Sequence, residues 1–581
     1  MRFLGLLVLF LSVFVQSCGE STLSPACSCR ETNEDPNLAW RTQLRISNLN
    51  GVWGPSRNDL FFVGDYGNII HYDGSSWEFM NSGTAKGLND IWGDSHDNIF
   101  AVGADGLILH YDGSGWSEMN SKTNANLSAL WGISERSVYA VGAYGTILHF
   151  DGTGWAVMAR GLAPFLVDIW GSSDSDIYVP SSEGVLHYNG VAWSMIDTGV
   201  DAYFSGVWGT SASSVYLIGT KGAIAHFDGL SWTKMSSSTS QTLRCIWGNS
   251  DSEIFVFGNN GESLRFDGAS WRLLSECTEN RMQCIFGFSG TEVFAAGTMA
   301  ILRYNGANWT RVMGGEFLAL NGVWGSSPDN LYAVGETGLI MHYDGRSWSF
   351  MRSPTSNNIN DIWGFAEDDI YAVGDGGTLL HFDGSEWSLS ASGTDVKLSG
   401  IWGPSPTDIF IVGWYGTILH YDGSIWRRME SGTGLFFSAV HGRTGTDVYA
   451  VTRAEEIFHY DGIAWESVAN APTIIWEDVW VAPGDSVYVV GSRQSIGWFD
   501  GTAWNGYSSP SSGERLYGIW GISNSDVYVV GDFGRIRHYD GASWKIVYQN
   551  SPLDFRDVWG YSSEDVFVVG RACIILHYGY R

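Results

Sequence analysis

Histidine is the residue type in this sequence best suited to acid–base or metal chemistry, and 13 histidines are present. Eleven of them share one position in a recurring Leu-His-Tyr-Asp-Gly segment: His71, His110, His149, His187, His226, His342, His381, His420, His459, His538 and His577. Because side chains alternate across a β-strand, each of these histidines lies on the same face as the aspartate of the turn that follows. We interpret them as repeated structural His–Asp hydrogen bonds, not as eleven metal or catalytic sites.

Aspartates recur as regularly, at two positions in each repeating unit. Eleven stand in Asp-Gly turns such as Asp73-Gly74, and a second set precedes another strand: Asp59, Asp176, Asp369, Asp408, Asp447, Asp526 and Asp565. Both sets suit Asx-type capping of turns. The calcium loop D-x-[DN]-x-[DN]-G does not occur, and paired acids for glycoside hydrolysis do not stand out from so regular a background. The sequence therefore predicts no catalytic residue, no metal site and no cofactor.

The elements that carry these residues form one long internal repeat. A Trp-Gly dipeptide recurs from Trp53 to Trp559 with a period of about 39 residues. A second marker, [DN]-G-x-x-W, recurs 13 times, so that fourteen units are present. Each unit contains four short runs of β-branched, aromatic and aliphatic residues bounded by Gly, Asp or Ser. Four strands in about 40 residues is typical of one β-propeller blade.

The repeat predicts an all-β protein of about fourteen four-stranded blades. Rings of four to eight blades are usual, so we expect two seven-bladed propellers, over residues 36–312 and 313–581. One very large closed ring is the alternative, because no linker interrupts the spacing. The last unit lacks its fourth strand, and residues 40–44 (WRTQL) precede the first unit. We expect this N-terminal strand to complete the last blade.

The Asp-Gly-x-x-Trp turn resembles the Asp-box of BNR propellers, although it is one residue shorter between Asp and Gly. Residues 36–581 resemble the bacterial WD40/YVTN/BNR-like repeat proteins. This resemblance implies the propeller fold and says little about activity.

The N-terminal sequence predicts localisation to the cell envelope. Residues 1–17 consist of Met1-Arg2, an apolar run and Gln16-Ser17, and Cys18 follows. This resembles the signal peptide and lipobox of bacterial lipoproteins, which implies lipidation of Cys18. Residues 18–35 form a polar, flexible tether. We expect an outer-membrane lipoprotein of a Gram-negative bacterium, attached to the membrane only by its lipid; ordinary secretion is the alternative.

Charge and cysteine content narrow the functions further. A formal net charge of −30 argues against nucleic-acid binding, which needs basic patches. Seven cysteines are present, and lipidation of one leaves an even number for an oxidising compartment. Cys277 and Cys284, seven residues apart, are the candidate disulfide.

Function in such a repeat is expected where the repeat is broken. In propellers, the turns between the second and third strands lie on the usual binding face. The candidate partner-binding residues are Trp414, Tyr415, Arg453, Arg493, Trp498, Phe533 and Arg571, because Arg, Tyr and Trp carry much of the energy of interfaces. The sequence favours a non-enzymatic scaffold that binds a protein or glycan. A sialidase-like glycoside hydrolase and an assembly factor of an envelope complex are the alternatives.

Overall fold

The structure is a computed structural model, and it describes residues 39–44, 48–276, 281–298, 300–314, 318–468, 474–484, 486–507, 513–549 and 551–579. In these ranges, no helix is long and apolar enough to cross a membrane. The strands form fourteen antiparallel four-stranded blades, two of which are joined through their outer strands into one eight-stranded sheet. The prediction of an all-β propeller protein with about fourteen blades is confirmed.

The first strand, β1, is followed by the strands of blades 1 to 7, each blade running from its inner to its outer strand. These strands are β1 (Ala39–Leu44); β2 (Leu49–Ser56), β3 (Asp59–Gly64), β4 (Ile69–Tyr72), β5 (Trp77–Met80); β6 (Leu88–Ser95), β7 (Asn98–Gly103), β8 (Ile108–Tyr111), β9 (Trp116–Glu118); β10 (Leu127–Ser134), β11 (Ser137–Gly142), β12 (Thr146–Phe150), β13 (Trp155–Ala159); β14 (Trp170–Ser173), β15 (Asp176–Ser181), β16 (Gly184–Tyr188), β17 (Trp193–Ile196); β18 (Phe204–Ser211), β19 (Ser214–Gly219), β20 (Ile224–Phe227), β21 (Trp232–Met235); β22 (Leu243–Ser250), β23 (Glu253–Gly258), β24 (Glu262–Phe266), β25 (Trp271–Glu276); β26 (Met282–Ser289), β27 (Glu292–Gly297), β28 (Ala300–Tyr304), β29 (Trp309–Gly314).

Blades 8 to 14 follow in the same order. Their strands are β30 (Leu320–Ser327), β31 (Asn330–Gly335), β32 (Ile340–Tyr343), β33 (Trp348–Phe350); β34 (Ile359–Ala366), β35 (Asp369–Gly374), β36 (Leu379–Phe382), β37 (Trp387–Ser390); β38 (Leu398–Ser405), β39 (Asp408–Gly413), β40 (Ile418–Tyr421), β41 (Trp426–Met429); β42 (Phe437–Thr444), β43 (Asp447–Thr452), β44 (Ile457–Tyr460), β45 (Trp465–Ser467); β46 (Trp476–Val481), β47 (Val487–Gly491), β48 (Ser495–Phe499), β49 (Trp504–Tyr507); β50 (Leu516–Ser523), β51 (Asp526–Gly531), β52 (Ile536–Tyr539), β53 (Trp544–Tyr548); β54 (Phe555–Ser562), β55 (Asp565–Gly570), β56 (Ile575–Gly579). Single 3-10 turns join the second and third strands of seven blades, at Asp65–Gly67, Ala104–Gly106, Thr220–Gly222, Glu336–Gly338, Asp375–Gly377, Ser492–Gln494 and Asp532–Gly534.

Each set of seven blades closes into its own ring. Strand β26 of blade 7 packs beside β2 of blade 1, and β54 of blade 14 packs beside β30 of blade 8. Two propellers are therefore present, not one large ring. Strand β1 pairs antiparallel with β56 and completes blade 14. The range 36–312, drawn from the sequence as the first propeller, thus includes a strand that belongs to the second ring.

The Trp-Gly dipeptide fits neighbouring blades together. The indole of one blade lies against the glycine of the next blade, so a Cβ on Gly93 would approach the Trp53 ring to 2.8 Å and one on Gly248 would approach Trp208 to 2.5 Å. Only glycine leaves room for the ring. Around this contact the buried apolar side chains of adjacent blades form shared clusters, as Trp53 does with Leu88 of blade 2.

The two rings meet edge to edge. Outer strands β5 and β33 pair antiparallel, with Trp348 opposite Phe79. The rings of Phe79 and Phe350 lie 5.5 Å apart across this junction. One apolar cluster joins blades 1, 7, 8 and 14, which explains how the chain passes between the rings without a separate linker domain.

Candidate functional site

The repeat histidines bond to a different aspartate from the one predicted. His71 Nε2 lies 2.7 Å from Oδ1 of Asp59, the first residue of the second strand, and the imidazole stacks on Phe61. The turn aspartate Asp73 instead accepts hydrogen bonds from the backbone N–H groups of Ser75 and Ser76 at 2.7 and 2.6 Å. Asx capping therefore holds for the turn set, whereas the aspartates that begin the second strands are the histidine partners.

The histidine partner at the start of the second strand is an aspartate in most blades, an asparagine for His110 and His342, and a serine for His149 and His226. Ser137 and Ser214, which replace the aspartate in blades 3 and 5, donate hydrogen bonds to Asp174 and Asp251 of the following blades. Throughout the sequence, an acidic residue at the start of the second strand never faces an acidic residue at this loop position. The junctions therefore avoid placing two carboxylates opposite each other.

Trp498, a predicted binding residue, takes the repeat-histidine position in blade 12. It lies in β48 opposite Tyr488 and packs, partly buried, against the core shared with blade 13. The strand residue and the loop residue of this junction are Ser486 and Asn524, so neither is acidic. The indole of Trp498 therefore takes the place of the imidazole, and no carboxylate partner is required at this junction. Trp498 lies in the blade core and not among the loops between strands.

The other predicted binding residues lie together in the turns between the second and third strands of the second ring. The backbone N–H groups of Trp414, Arg453 and Arg571 donate to the carbonyls of Lys397, Phe436 and Asp554, each 3.0 Å away, in the segment that enters the same blade. Turns and entering segments thus form one surface, which we call the loop face.

Three predicted residues are held in a backbone conformation that favours glycine. Tyr415, Arg493 and Phe533 have φ values of 56°, 59° and 61°, and Gly376 occupies the same position in blade 9 with φ 63°. A non-glycine residue in this region costs roughly 1–2 kcal/mol. Tyr415 and Phe533 are 58% and 60% exposed, so burial does not offset that cost. The same conformation occurs at this turn position in other blades of both rings, at Tyr66, Asp105, Tyr144, Lys221 and Thr337, so it belongs to the turn and does not by itself identify a binding residue.

An aromatic cluster stands in blades 10 and 11 of the loop face. The rings of Trp414 and Phe436 stack 4.9 Å apart, and Tyr415 meets Phe436 edge-on at 5.1 Å. The Lys397 ammonium lies 5.8 Å from the Trp414 ring and 3.0 Å from a carboxylate oxygen of Asp375. Phe436 and Lys397 were missed in the sequence because they occupy the entering segment, and not the turn.

Cations surround the mouth of the second ring's channel. Arg453 and Arg515 both face the buried carboxylate of Glu477, at 3.0 and 3.4 Å. The guanidinium of Arg556 lies over the ring of Tyr517, 4.4 Å from its centroid. Within the described ranges, no carboxylate lies within ion-pair distance of Arg556. Arg453, Glu477, Tyr517 and Arg556 line a cavity of about 220 Å³. Its wall also contains Lys397 and the carboxyl groups of Asp361, Asp478 and Asp557.

A signal for the residues at the mouth was present in the sequence. The second residue of the inner strand is Asn or Ser in blades 8 to 11, and its side chain bonds to the next blade, as Asn321 Nδ2 does to the Ile359 carbonyl at 2.9 Å. Glu477, Tyr517 and Arg556 break this pattern in blades 12 to 14. Departures from Asn or Ser at this position would have identified them.

Five partly buried aspartates connect neighbouring inner strands and line the cavities of the two rings: Asp90, Asp168, Asp361, Asp478 and Asp557. Each accepts one N–H from the residue that follows it and one from the next blade, as Asp557 does from Val323 at 2.9 Å across the closure of the second ring. Burial raises the pKa of Asp557 to about 7 and, together with the charge of Asp557, that of Asp478 to about 8. It raises the pKa values of Asp90 and Asp168 to about 7 and that of Asp361 well above its usual range.

These raised pKa values predict that stability falls as the pH rises from 6.5 to 8.5. The folded chain retains protons that the unfolded chain, with an ordinary aspartate pKa of 3.8, has already released. Each retained proton contributes up to about 1.4 kcal/mol per pH unit. Histidines such as His441, whose pKa burial lowers to about 3, affect stability at lower pH. The check is the urea midpoint of unfolding against pH.

Asp478→Asn distinguishes the aspartates from other titrating groups. The variant is destabilised, because asparagine has one acceptor oxygen where Asp478 accepts the N–H groups of both Val479 and Ile519, at 2.8 and 2.9 Å. Its pH slope should nevertheless be shallower than that of the parent protein. An unchanged slope would show that Asp478 does not retain its proton.

The first ring also has exposed aromatic residues. Tyr144, Phe165 and Tyr203 are 73%, 57% and 69% exposed. Phe165 also lines a cavity of about 530 Å³ with Arg244 and several amide and hydroxyl side chains. Among the described residues that line this cavity Arg244 is the one cation, and burial, together with the charge of the nearby Arg281, lowers its pKa.

The predicted disulfide is not supported at Cys284, which is a free, buried thiol. Its side chain lies in the apolar cluster with Leu49 and Val52 of blade 1, because its strand, β26, faces the closure of the first ring. Cys277 and the predicted lipidation site Cys18 lie outside the described residues.

Comparison with known proteins finds no matching family model and no matching curated protein. Among solved structures, the chain is similar to PorZ, a surface component of the type-IX secretion system of Porphyromonas gingivalis, with 14% identity, a TM-score of 0.47, and coverage of 93% of this chain and 86% of that one. It is similar to the GH74 enzyme of Niastella koreensis, with 13% identity, a TM-score of 0.45, and coverage of 93% and 99%. It is also similar to YCF48 of Cyanidioschyzon merolae, with 14% identity, a TM-score of 0.39, and coverage of 45% and 96%.

Proposed function

We propose that this protein is a non-enzymatic scaffold of the cell envelope that binds an anionic protein or glycan through the loop face of its second ring. The observation that carries the proposal is the placement of Arg556, a guanidinium without a carboxylate partner in the described ranges, beside Arg453 and Arg515 at the channel mouth. A planar guanidinium stacked on an aromatic ring keeps its N–H groups available for bidentate binding of a carboxylate, sulfate or phosphate.

The aromatic cluster supplies the apolar part of the same site. Tyr415 and Phe436 are 58% and 38% exposed and stand beside Lys397 of the cavity wall. Flat, rigid aromatic faces bind sugar rings and apolar side chains at a low entropic cost. A ligand with an anionic group and an adjacent flat or apolar surface therefore matches this face.

The channel carboxyls support a scaffold better than a sialidase-like hydrolase. Raised pKa values such as those of Asp478 and Asp557 are what a general acid would need. Each of these carboxyls is, however, already held by two backbone N–H groups of adjacent blades. The same arrangement occurs at Asp90 in the first ring. An assembly factor of an envelope complex is a protein-binding scaffold of the proposed kind, and the N-terminal lipid at Cys18 would hold it at the outer membrane.

Binding of envelope proteins and of an array of acidic glycans to the purified chain tests the proposal. Arg556→Ala should weaken binding of the captured partner by about tenfold or more, and raising the salt concentration should weaken binding to the parent protein. Tyr415→Gly should weaken binding without lowering stability, because glycine relieves the positive φ at this turn.

Thr337→Gly is the matched control, since Thr337 holds the same turn position in blade 8 with φ 55°. It should retain full binding. Equal binding by the parent, Arg556→Ala and Tyr415→Gly would rule out this face as the site. Turnover of sialosides by the parent protein would favour the hydrolase instead.

A further inference from the structure

A second histidine makes the junction of blades 1 and 2 different from the other junctions. The carboxylate of Asp59 contacts two imidazoles. His71 Nε2 lies 2.7 Å from Asp59 Oδ1, and His96 Nδ1 lies 2.8 Å from Asp59 Oδ2. The two nitrogens and a carboxylate oxygen lie within 4.8 Å of one another. His71 and Asp59 are mostly buried, whereas the His96 side chain is 48% exposed.

The repeat shows that His96 is not needed to satisfy the His–Asp pair. At the equivalent loop position Ala212 stands near the pair of Asp176 and His187, which are 2.7 Å apart, and the second carboxylate oxygen of Asp176 accepts a hydrogen bond from Ser172 of its own blade instead of from the loop. In another junction Gly445 occupies this loop position beside Asp408. A Cβ on Gly445 would lie 1.8 Å from a carboxylate oxygen of Asp408, so only glycine fits there. A small side chain is thus sufficient, and blade 2 alone supplies an imidazole.

The chemistry of this donor set is that of a transition-metal site. Two imidazole nitrogens and one carboxylate oxygen suit Zn²⁺ and similar divalent ions, which bind three protein ligands and leave a further position open. The open side faces solvent through the exposed His96. Phe61, 4.3 Å from the His71 ring and 5.7 Å from the His96 ring, fixes the orientation of the two imidazoles. The chain's net charge of −30 also raises the local concentration of cations.

We propose that Asp59, His71 and His96 bind one divalent transition-metal ion of the Zn²⁺ class, which links blades 1 and 2 of the first ring. The three ligand atoms already lie within 4.8 Å of one another, and Zn²⁺ binds such nitrogen and oxygen atoms at about 2.0–2.2 Å. The site lies outside the loop face of the second ring, so it does not depend on the proposed binding function.

Titration of the chelator-treated full chain with Zn²⁺, and with Co²⁺ as a spectroscopic probe, tests the proposal. We expect one ion per chain, a Co²⁺ absorption spectrum of low coordination number with imidazole ligands, and a higher melting temperature in the presence of Zn²⁺. His96→Ala should weaken Zn²⁺ binding by about 100-fold or more, since even outer-shell partners of metal ligands are worth about 10–100-fold. His96 is largely exposed, so this variant is expected to fold.

His187→Gln is the matched control, because it breaks a His–Asp pair that has no loop imidazole. It should bind Zn²⁺ as the parent protein does. Absence of stoichiometric binding to the parent, or equal binding by His96→Ala, would overturn the assignment. Loss of binding in His187→Gln while His96→Ala retains it would place the ion at another junction and would overturn it as well.

Discussion

Replacing Trp40 by alanine is expected to destabilise the second ring by about 2–3 kcal/mol and to leave the first ring almost unchanged. Truncating a fully buried Trp costs about 3–5 kcal/mol, and Trp40 is partly exposed. The centroid of its indole lies within 6.3 Å of those of the Tyr528, Tyr548 and Tyr578 rings. Its strand, β1, covers the outer edge of β56. The loss of this contact weakens the blade on which closure of the ring depends.

Hydrogen exchange measured strand by strand checks this result. Protection should fall in β56 and in blade 14, and remain in blades 1 to 7. Trp193→Ala is the matched control, because Trp193 stacks on Tyr188 at 5.1 Å in an outer strand of the first ring that is continuous with its own blade. That variant should lose protection in blade 4 only. Equal exchange of β56 in the parent and in Trp40→Ala would show that the N-terminal strand does not secure the ring.

The blades could be predicted from the sequence because their determinants are local and repeated. Trp53 and Gly93 occupy the same two marker positions, one repeat apart, and most blades repeat the contact. The pairing of β1 with β56 was also predictable, since the last unit lacked a strand and the N-terminus supplied one. The number of rings was harder to predict from the sequence. The packing of β26 on β2 and of β54 on β30 closes the two rings without changing the uniform spacing of the repeat.

The errors concern partners that come from elsewhere in the chain. His71 was assigned to Asp73, two residues away on the same face, but the hairpin of β3 and β4 places Asp59 directly against its imidazole. Cys284 was assigned to the nearby Cys277, but the closure of the first ring encloses its side chain. Sequence proximity is a weak guide here, because the strongest contacts cross between strands or between blades.

The loop face was only partly predictable for a related reason. Tyr415 and Phe533 stand out because they are exposed aromatic residues in turns whose sequence varies from blade to blade. Arg556 and Glu477 occupy the second position of their inner strands. They stand out only once it is known that other blades have Asn or Ser at this position, bonded to the next blade. Trp498 looked like a surface residue because its type was unusual, whereas its strand position makes it part of the blade core.

Glu514→Gln is expected to destabilise the second ring by about 2–4 kcal/mol, the second large effect that the structure predicts. The carboxylate of Glu514 is 1% exposed and accepts hydrogen bonds from Arg535 Nη1 and Arg537 Nη2, each 2.8 Å away. Removing one partner of a buried ion pair costs roughly 3–5 kcal/mol, because the remaining charge stays in a low-dielectric environment. Arg535 is 35% exposed and can rehydrate, whereas Arg537 is 12% exposed and cannot, so we place the loss below the upper limit.

A double-mutant cycle separates this charge effect from a general disturbance of the loop face. Arg537→Met in the Glu514→Gln background should recover part of the lost stability, because it removes the cation that the first change left uncompensated. Arg272→Met, which breaks an ion pair whose arginine is 74% exposed, should change stability by less than about 1 kcal/mol. Additive losses for Glu514→Gln and Arg537→Met would contradict the coupling. The cost of the buried charge would then lie with Arg535, which touches the exposed Phe533 of the loop face and connects the stability of this network to the surface proposed for binding.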